Sequence, residues 1–214
     1  MKNAVGYSMD LSTLLIFIPT FFFVSITPGM CMTLAMTLGM TIGLRRTFWM
    51  MLGEMVGVGI VAVLAVIGVA AIMLRYPDVF TLLKWLGGSY LGYLGIQMWR
   101  SRGKMAIPEK IEKQAQVSPW QLATQGLVTA IANPKGWAFM ISLLPPFIQA
   151  DKTLPLQLSV LVGIILISEF VCMTLYATGG KTLRLFLNKS GNVRLLNRIS
   201  GTLMIGVGIW LVST

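Results

Sequence analysis

SITPGMCM at residues 25–32 and AIANPKGW at residues 130–137 each interrupt a long apolar run of this 214-residue chain. Pro28 and Pro134 lack the backbone N–H that a helix interior needs, and each proline ring clashes with the preceding turn. In lipid, the backbone groups freed by such a break must be satisfied by protein or must line a water-filled cavity. The two stretches therefore predict two broken helices whose breaks are buried inside a membrane protein.

The composition places the chain among integral membrane proteins. Apolar residues make up 56% of the positions and charged residues 11%, and the mean hydropathy is +0.78. A soluble domain carries about 25% charged residues because its surface meets water. The charges of this chain also cluster between long uncharged runs, as they do in transmembrane proteins. We therefore predict an all-α integral membrane fold.

Six apolar segments are predicted to cross the bilayer. They form one transmembrane domain over residues 1–214, in which a cytoplasmic linker at about 101–119 separates two three-helix units at about 11–100 and 120–213. The six segments are 11–43 (broken near Pro28), 47–74, 79–99, 120–148 (broken near Pro134), 156–180 and 195–213.

Lysine and arginine residues orient these segments. With both termini outside, twelve basic residues fall in the inner loops and four in the outer segments, and cytoplasmic loops are normally the ones enriched in Lys and Arg. We therefore predict that both termini are periplasmic. The net charge of +10 is explained by this bias, so no nucleic-acid partner is expected. The inner set is Arg45, Arg46, Arg100, Arg102, Lys104, Lys110, Lys113, Lys181, Arg184, Lys189, Arg194 and Arg198.

The two halves of the chain resemble each other. Because each half contains three segments, the second half must enter the membrane from the opposite side. This arrangement is an inverted-topology repeat, which recurs among secondary transporters. The matching positions are Pro28 with Pro134, Glu54 with Glu169, Gly88 with Gly201, and Gly95 with Gly208.

The paired breaks mark a candidate substrate site, because matching interruptions in two repeats lie at the interface between them. The helix N-terminus after each break offers free N–H groups and a positive dipole end, which suit a carboxylate. The alternative is a pair of plain proline kinks. The candidate substrate-binding residues are Thr27, Pro28, Gly29, Met30, Asn133, Pro134 and Lys135.

Glu54 and Glu169 lie in the middle of the second and fifth segments. A charged side chain at a helix centre costs roughly 2.5–3.5 kcal/mol on insertion scales, so such residues persist where they pair or line a polar pathway. A structural ion pair with Lys135 would neutralise only one of the two acids. Both are therefore candidates for proton coupling.

The chain contains no histidine and two cysteines, Cys31 and Cys172. This composition excludes a disulfide framework, a His-based metal site and a Ser-His-Asp triad, and we expect no cofactor, no metal and no enzymatic activity. Two other functions stay open. A membrane thiol–disulfide carrier would need a second cysteine placed to pair with Cys31, and an inorganic cation exporter would have only two membrane acids for its site.

The chain resembles the LysE/RhtB family of amino-acid exporters, in particular its homoserine and threonine efflux branch. The resemblance covers nearly the whole chain and is carried by the Pro-Gly of SITPGM, Gly53-Glu54, the sequence LGGSYLGYLGIQMWRSR, Asn133-Pro134-Lys135 and Glu169. The sequence departs from the family at Met30, where many members carry a second proline.

This resemblance implies export of small neutral amino acids or their derivatives across the bacterial inner membrane, with protons moving inward. The expected partners are the substrate, protons and lipid, and a homodimer is plausible for a bundle of this size. In this hypothesis the two breaks and Lys135 hold the substrate carboxylate, while Glu54 or Glu169 meets the ammonium group or exchanges a proton.

Overall fold

The computed structural model describes residues 11–101, 117–144, 147–148, 153–188 and 190–213. Within these ranges the chain is almost entirely helical, which confirms the predicted all-α class. The helices are α1 (Leu11–Ile26), α2 (Met30–Ile42), α3 (Leu44–Arg75), α4 (Pro77–Arg100), α5 (Pro119–Ile131), α6 (Pro134–Leu143), α7 (Leu154–Asn188) and α8 (Ser190–Ser213).

The helices fall on the six segments predicted from the sequence. The segment at 11–43 divides into α1 and α2, and the one at 120–148 divides into α5 and α6, which ends at Leu143. The helix α7 runs beyond its predicted end to Asn188 because it bends at Gly180, where φ is 44°. Only glycine adopts such a φ readily. Most of the predicted linker lies outside the described residues.

The two interruptions have different local causes. The axes of α1 and α2 meet at 57°, with Gly29 fully extended at φ −150° and ψ −173° before the first turn of α2. At the other interruption Asn133 is the N-cap of α6 and Pro134 occupies its first position. Proline is well suited to that position because the first N–H of a helix has no partner within it.

Among the described residues, two helices are long and apolar enough to cross a membrane, through Leu44–Gly68 of α3 and Leu154–Gly180 of α7. The bent pair formed by α1 and α2 meets the same requirement as one broken span. The total of six spans therefore stays a prediction.

Two buried apolar clusters fill the molecule. One cluster joins α1 and α6 to the middle of α3 and to the later part of α8, with Phe17, Phe21 and Phe147 at its centre. The other joins α2 and α5 to the start of α3 and the later part of α7, with Met36 and Tyr176 at its centre. Because α1 and α2 belong to different clusters, as do α5 and α6, both breaks lie between the two apolar layers.

Glycines allow the closest helix contacts. The antiparallel helices α4 and α8 touch at two points: a Cβ added to Gly88 would lie 2.7 Å from the Gly208 carbonyl oxygen, and one added to Gly95 would lie 2.6 Å from that of Gly201. Between α3 and α5, a Cβ added to Gly53 would lie 1.8 Å from the backbone oxygen of Ala123. This last contact holds the residue after Gly53, which is Glu54, against the α5–α6 unit.

Candidate functional site

Side chains from other helices donate hydrogen bonds to the backbone carbonyl groups at the C-terminal end of α1. The final carbonyl groups of a helix have no partner within it. Tyr176 on α7 donates to the Ile26 carbonyl at 2.8 Å, and Ser200 on α8 donates to the Phe23 carbonyl at 2.7 Å. The Thr27 hydroxyl donates to the Phe23 carbonyl and lies 2.7 Å from the Ser200 hydroxyl. Side chains from α7 and α8, together with Thr27, thus fix where α1 stops.

Lys135 completes this set of contacts. Its Nζ donates to the carbonyl oxygens of Val24 and Thr27, each at 3.4 Å, and lies 5.5 Å from the centre of the Phe139 ring. An ammonium group at a helix C-terminus is favoured by the helix dipole. The positive charge of Lys135 is therefore held at the break between α1 and α2.

The N-terminal end of α2 lies open beside this charge. Gly29 is its N-cap and supplies no side-chain hydrogen bond. The N–H groups of the first turn, on Met30, Cys31 and Met32, have no carbonyl partner within the helix. A Cβ added to Gly29 would lie 3.7 Å from Lys135 Nζ, so the ammonium and the open turn face the same small volume.

The N-terminal end of α6 is less open, which departs from the expectation that both breaks offer equivalent donors. Pro134 has no N–H, and the Asn133 side chain accepts the Lys135 backbone N–H at 3.1 Å. The Asn133 amide also lies 3.7 Å from Cys31 Sγ. Asn133 therefore caps its own helix and contacts the break between α1 and α2.

The two acids have different surroundings. Ser25 donates a 2.8 Å hydrogen bond to Glu169 Oε1. Glu54 is 1% exposed. Its carboxyl group interacts with the buried Cys31 thiol, but neither carboxyl oxygen forms a hydrogen bond of regular geometry in the described part of the chain. Lys135 donates to carbonyl oxygens, and among the described residues no direct contact between its ammonium group and a carboxylate is found. Lys135 and Glu169 still attract each other electrostatically, so the pairing considered from the sequence is present only as this longer-range interaction.

These groups surround one inner pocket of about 50 Å³. Seven of the nine candidate residues line it, together with Ser25, Cys31 and Phe139: they are Thr27, Gly29, Met30, Asn133, Lys135, Glu54 and Glu169. The two prolines line a second cavity of about 880 Å³ that lies between α2, α4 and α8 and shares Thr27, Gly29, Met30, Lys135 and Phe139 with the inner pocket.

Sequence reasoning did not select three polar residues that shape this site. Ser25 contacts Glu169, while Tyr176 and Ser200 hold the end of α1. Ser25 stands two residues before Thr27 in the decisive stretch, so its place in the chain was a usable signal. Tyr176 and Ser200 are distant in sequence, and no local pattern distinguishes them from other polar residues in apolar helices.

Both cysteines are buried and unbridged. In the described ranges, no group of three or more His, Cys, Asp or Glu side chains is arranged to hold a metal ion. A positive charge, helix N–H groups and two carboxyl groups all line the inner pocket, and together they suit a ligand that carries both signs of charge.

Two of the known proteins that this chain resembles are named as efflux proteins. The chain is 30% identical over 161 residues to the homoserine/homoserine lactone efflux protein of Salmonella typhimurium, covering 75% of this chain and 77% of that protein. It is 26% identical over 197 residues to the leucine efflux protein of an Enterobacter species, covering 90% and 91%. It is 26% identical over 206 residues to an uncharacterized membrane protein of Vibrio cholerae, covering 96% and 98%. No solved structure matches the chain.

The match to a family model covers nearly the whole chain. Residues 22–214 match the model described as LysE type translocator, a region that contains every candidate site residue. A multi-pass membrane protein of this kind is a transporter and not an enzyme. The chain belongs to the LysE type translocator family.

Proposed function

We propose that this chain exports small neutral amino acids or their derivatives, of the homoserine, threonine or leucine type, from the cytoplasm in exchange for protons. The observation that carries the proposal is the inner pocket, where Lys135 and the open first turn of α2 lie together with Glu54 and Glu169. The efflux activities in the names of two relatives support the same substrate class.

The pocket complements both ends of a zwitterion. The substrate carboxylate would accept hydrogen bonds from the α2 first-turn N–H groups and from Lys135, because helix N-termini and ammonium groups both favour anions. The substrate ammonium would donate to Glu54 or Glu169. A neutral amino acid is thereby matched in charge without transferring an unpaired ion into the apolar layers.

Glu54 supports the coupling to protons. A buried ionised carboxyl group without a strong hydrogen-bond donor is costly, and the described residues offer Glu54 only the weakly donating Cys31 thiol. A proton or a substrate ammonium would relieve this cost, and the two would compete for one group. Such competition is the minimum requirement for exchanging a proton against a substrate.

The membrane potential gives a sufficient driving force. If one net charge moves inward per cycle, a potential of ~150 mV supplies roughly 3.5 kcal/mol. Since every 1.4 kcal/mol corresponds to a factor of about ten, this free energy sustains a concentration ratio of a few hundred-fold. That ratio is adequate for disposing of excess amino acid.

The proposed architecture has six spans in two inverted repeats, in the bacterial inner membrane, with both termini periplasmic. The packing of α4 on α8 supports this symmetry. The repeat pairs Gly88 with Gly201 and Gly95 with Gly208, so exchanging the halves turns the Gly88–Gly208 contact into the Gly201–Gly95 contact, and both contacts are present. The orientation rests on the twelve-to-four distribution of basic residues.

A resistance screen tests the proposed function. Cells that overproduce the chain are challenged with inhibitory amounts of amino acids, homoserine lactone and dipeptides, and cells that produce Glu54→Gln at the same level serve as the control. We expect resistance to homoserine-, threonine- or leucine-type compounds that the control lacks. Sensitivity to every amino acid and derivative in the wild-type cells would contradict the proposal.

A further inference from the structure

The geometry points to a division of the substrate between the two cavities: the inner pocket holds the ammonium and carboxylate groups, and the larger cavity between α2 and α4 receives an uncharged side chain. This inference rests on the proposed function and deepens it. According to this inference, Leu94 and Gln97, both on α4, determine which substrates are accepted. Neither residue is near a helix break in the sequence.

Volume is the first argument. The inner pocket measures about 50 Å³, which is room for about three to five water molecules at 10–15 Å³ each. That space accommodates the ionic groups around one Cα atom but not an aliphatic side chain as well. The larger cavity, at about 880 Å³, falls within the range of ~300–1,000 Å³ that is common for ligand sites.

Continuity is the second argument. Gly29, Met30 and Lys135 line both cavities, and the same three residues stand at the open first turn of α2. A substrate whose carboxylate is bound there has its Cα atom at the junction. Its side chain then extends away from Glu54 and Glu169, into the space between α2 and α4.

The lining of the larger cavity is the third argument. Thr33 and Thr37 lie one turn apart on α2, and Leu94, Gln97 and Met98 face the cavity from α4. These residues recur at the spacing of one helix face. Among the described residues that line the cavity, Lys135 is the one with a charge, and it contacts the end of α1. A charged side chain would lose water here without gaining a partner, whereas a hydroxyl or aliphatic group would be accepted.

The composition of the lining also argues against lipid as the occupant. Thr27, Thr33, Thr37, Gln97, Ser101 and Asn197 all border the cavity, so its surface is more polar than an acyl chain requires. A polar-lined cavity that continues to the ionic pocket fits a small water-soluble substrate better.

Size discrimination provides the main test. Leu94→Trp fills part of the cavity, and Ile96→Trp is the matched control, because Ile96 lies two residues along α4, is 45% exposed and does not line the cavity. Transport of radiolabelled homoserine and leucine is measured in proteoliposomes. Since one methylene group changes discrimination roughly 10- to 200-fold, we expect Leu94→Trp to reduce leucine transport at least about tenfold relative to homoserine, with the control unchanged.

Charge discrimination provides the second test. Gln97→Glu places a carboxylate opposite Thr33 and Thr37 and should admit lysine as a substrate, whereas Gln125→Glu on the exposed face of α5 should not. Leu94→Ala is measured in parallel and should raise transport of phenylalanine relative to leucine. This second variant keeps the inference testable even if Leu94→Trp does not fold.

The outcomes separate the two proposals. A wild type that transports none of homoserine, threonine and leucine would refute the proposed function, and this inference with it. Wild-type transport of both substrates, with an unchanged leucine-to-homoserine ratio in the Leu94 variants and no lysine transport by Gln97→Glu, would overturn the side-chain site alone.

Discussion

Glu54 and Glu169 occupy matching positions in the sequence of the two halves, yet their surroundings differ. Ser25 donates to Glu169, whereas the Glu54 carboxyl group interacts with the Cys31 thiol and forms no hydrogen bond of regular geometry among the described residues. From the sequence alone the two acids are predicted to be equivalent, because each lies in an apolar helix. The structure distinguishes them, and it makes Glu54 the better candidate for exchanging a proton or binding an ammonium group.

Lys135 is the second residue on which the site depends. Lys135→Met removes the charge beside the open turn of α2. A lost hydrogen bond to a charged group costs about 1.5–3 kcal/mol, so the substrate concentration for half-maximal export should rise roughly ten- to hundred-fold in proteoliposomes.

Tyr176→Phe is the matched control for Lys135→Met. It removes a hydrogen bond from the Ile26 carbonyl, at the same end of α1, but Tyr176 does not line the inner pocket. Half-maximal export should stay at the wild-type concentration while stability falls by about 1 kcal/mol. Equal effects of the two substitutions on export would show that Lys135 only supports the end of α1.

The residues at the breaks were visible in the sequence because proline and glycine in an apolar run have a direct physical meaning. Seven of the nine candidates line one pocket, although their roles stay predictions. Ser200 and Tyr176 were not foreseen, since a polar residue that satisfies a distant helix end can be recognised only once the helices are packed. The small size of the inner pocket likewise could not be predicted from sequence patterns.

The two breaks have different effects on the helices that they separate. The first bends the chain by 57° and leaves the N-terminus of α2 without a side-chain cap. The second starts α6 with an Asn133 cap and Pro134 at the first helical position. A simple repeat in sequence therefore produces one open helix end and one capped helix end.

Proline substitutions should reveal this difference. Pro28→Ala allows α1 to continue into α2, so that the first-turn N–H groups of α2 bond to the preceding turn. Half-maximal export should then require a substrate concentration roughly tenfold higher or more. Pro134→Ala should have a smaller effect, because Asn133 still caps α6. Equal and large losses of affinity, measured in proteoliposomes, would contradict the distinction between the two breaks.

The α4–α8 contact permits a matched pair of glycine substitutions. A Cβ at Gly95 would lie 2.6 Å from the Gly201 carbonyl oxygen, whereas a Cβ at Gly92, on the same helix, would meet nothing within 4 Å. Gly95→Ala should lower stability by about 1–3 kcal/mol through overpacking. Gly92→Ala should be neutral or slightly stabilising. Thermal unfolding in detergent compares them, and equal midpoints would exclude a tight contact at Gly95.

Helix positions were largely predictable, because apolar length and helix-terminal residues determine them. Ser118 and Gln121 form a reciprocal capping box at the start of α5, which is a local signal. The extension of α7 through the bend at Gly180 was missed. That bend depends on one glycine conformation, and glycine also occurs at many ordinary helix positions in this chain.

For the whole molecule, the family resemblance is confirmed by the match over residues 22–214. The larger cavity reaches Ser101 and Asn197, which lie near the end of α4 and the start of α8. The proposed orientation makes these helix ends cytoplasmic. A layer of aromatic rings lies near the other end of α8, at Trp210.

That aromatic layer links separate elements. The Phe17 ring on α1 lies 4.9 Å from the ring of Phe147, which follows α6, and the Phe147 ring lies 5.6 Å from that of Trp210 on α8. Under the proposed orientation, a cavity that reaches the cytoplasmic end of α8 and aromatic contacts near its other end predict a state that is open to the cytoplasm. Release to the outside would then require α8 to separate from Phe147.

Cysteine labelling tests this inward-open state. In a chain with Cys31 and Cys172 replaced by serine, Thr37→Cys should react with a membrane-impermeant maleimide in inside-out vesicles, because Thr37 lines the larger cavity. Thr178→Cys is the control: Ala177 packs on Gly39, so Thr178 lies at a similar depth, but it does not line that cavity. Equal reaction at both positions, or reaction of Thr37→Cys only from the periplasmic side, would contradict an inward-open state.

The central claim is that protons drive export of a neutral amino acid through the pocket that contains Glu54. The most direct measurement uses proteoliposomes that contain purified wild type or Glu54→Gln, with an imposed pH gradient and radiolabelled homoserine and leucine. Wild type should accumulate at least one of the two against its gradient and stop when the pH gradient is collapsed. Glu54→Gln should insert normally, since neutral glutamine is less costly to bury than a carboxylate, but should give no gradient-driven accumulation. Accumulation by Glu54→Gln that still follows the pH gradient as in the wild type would contradict the claim.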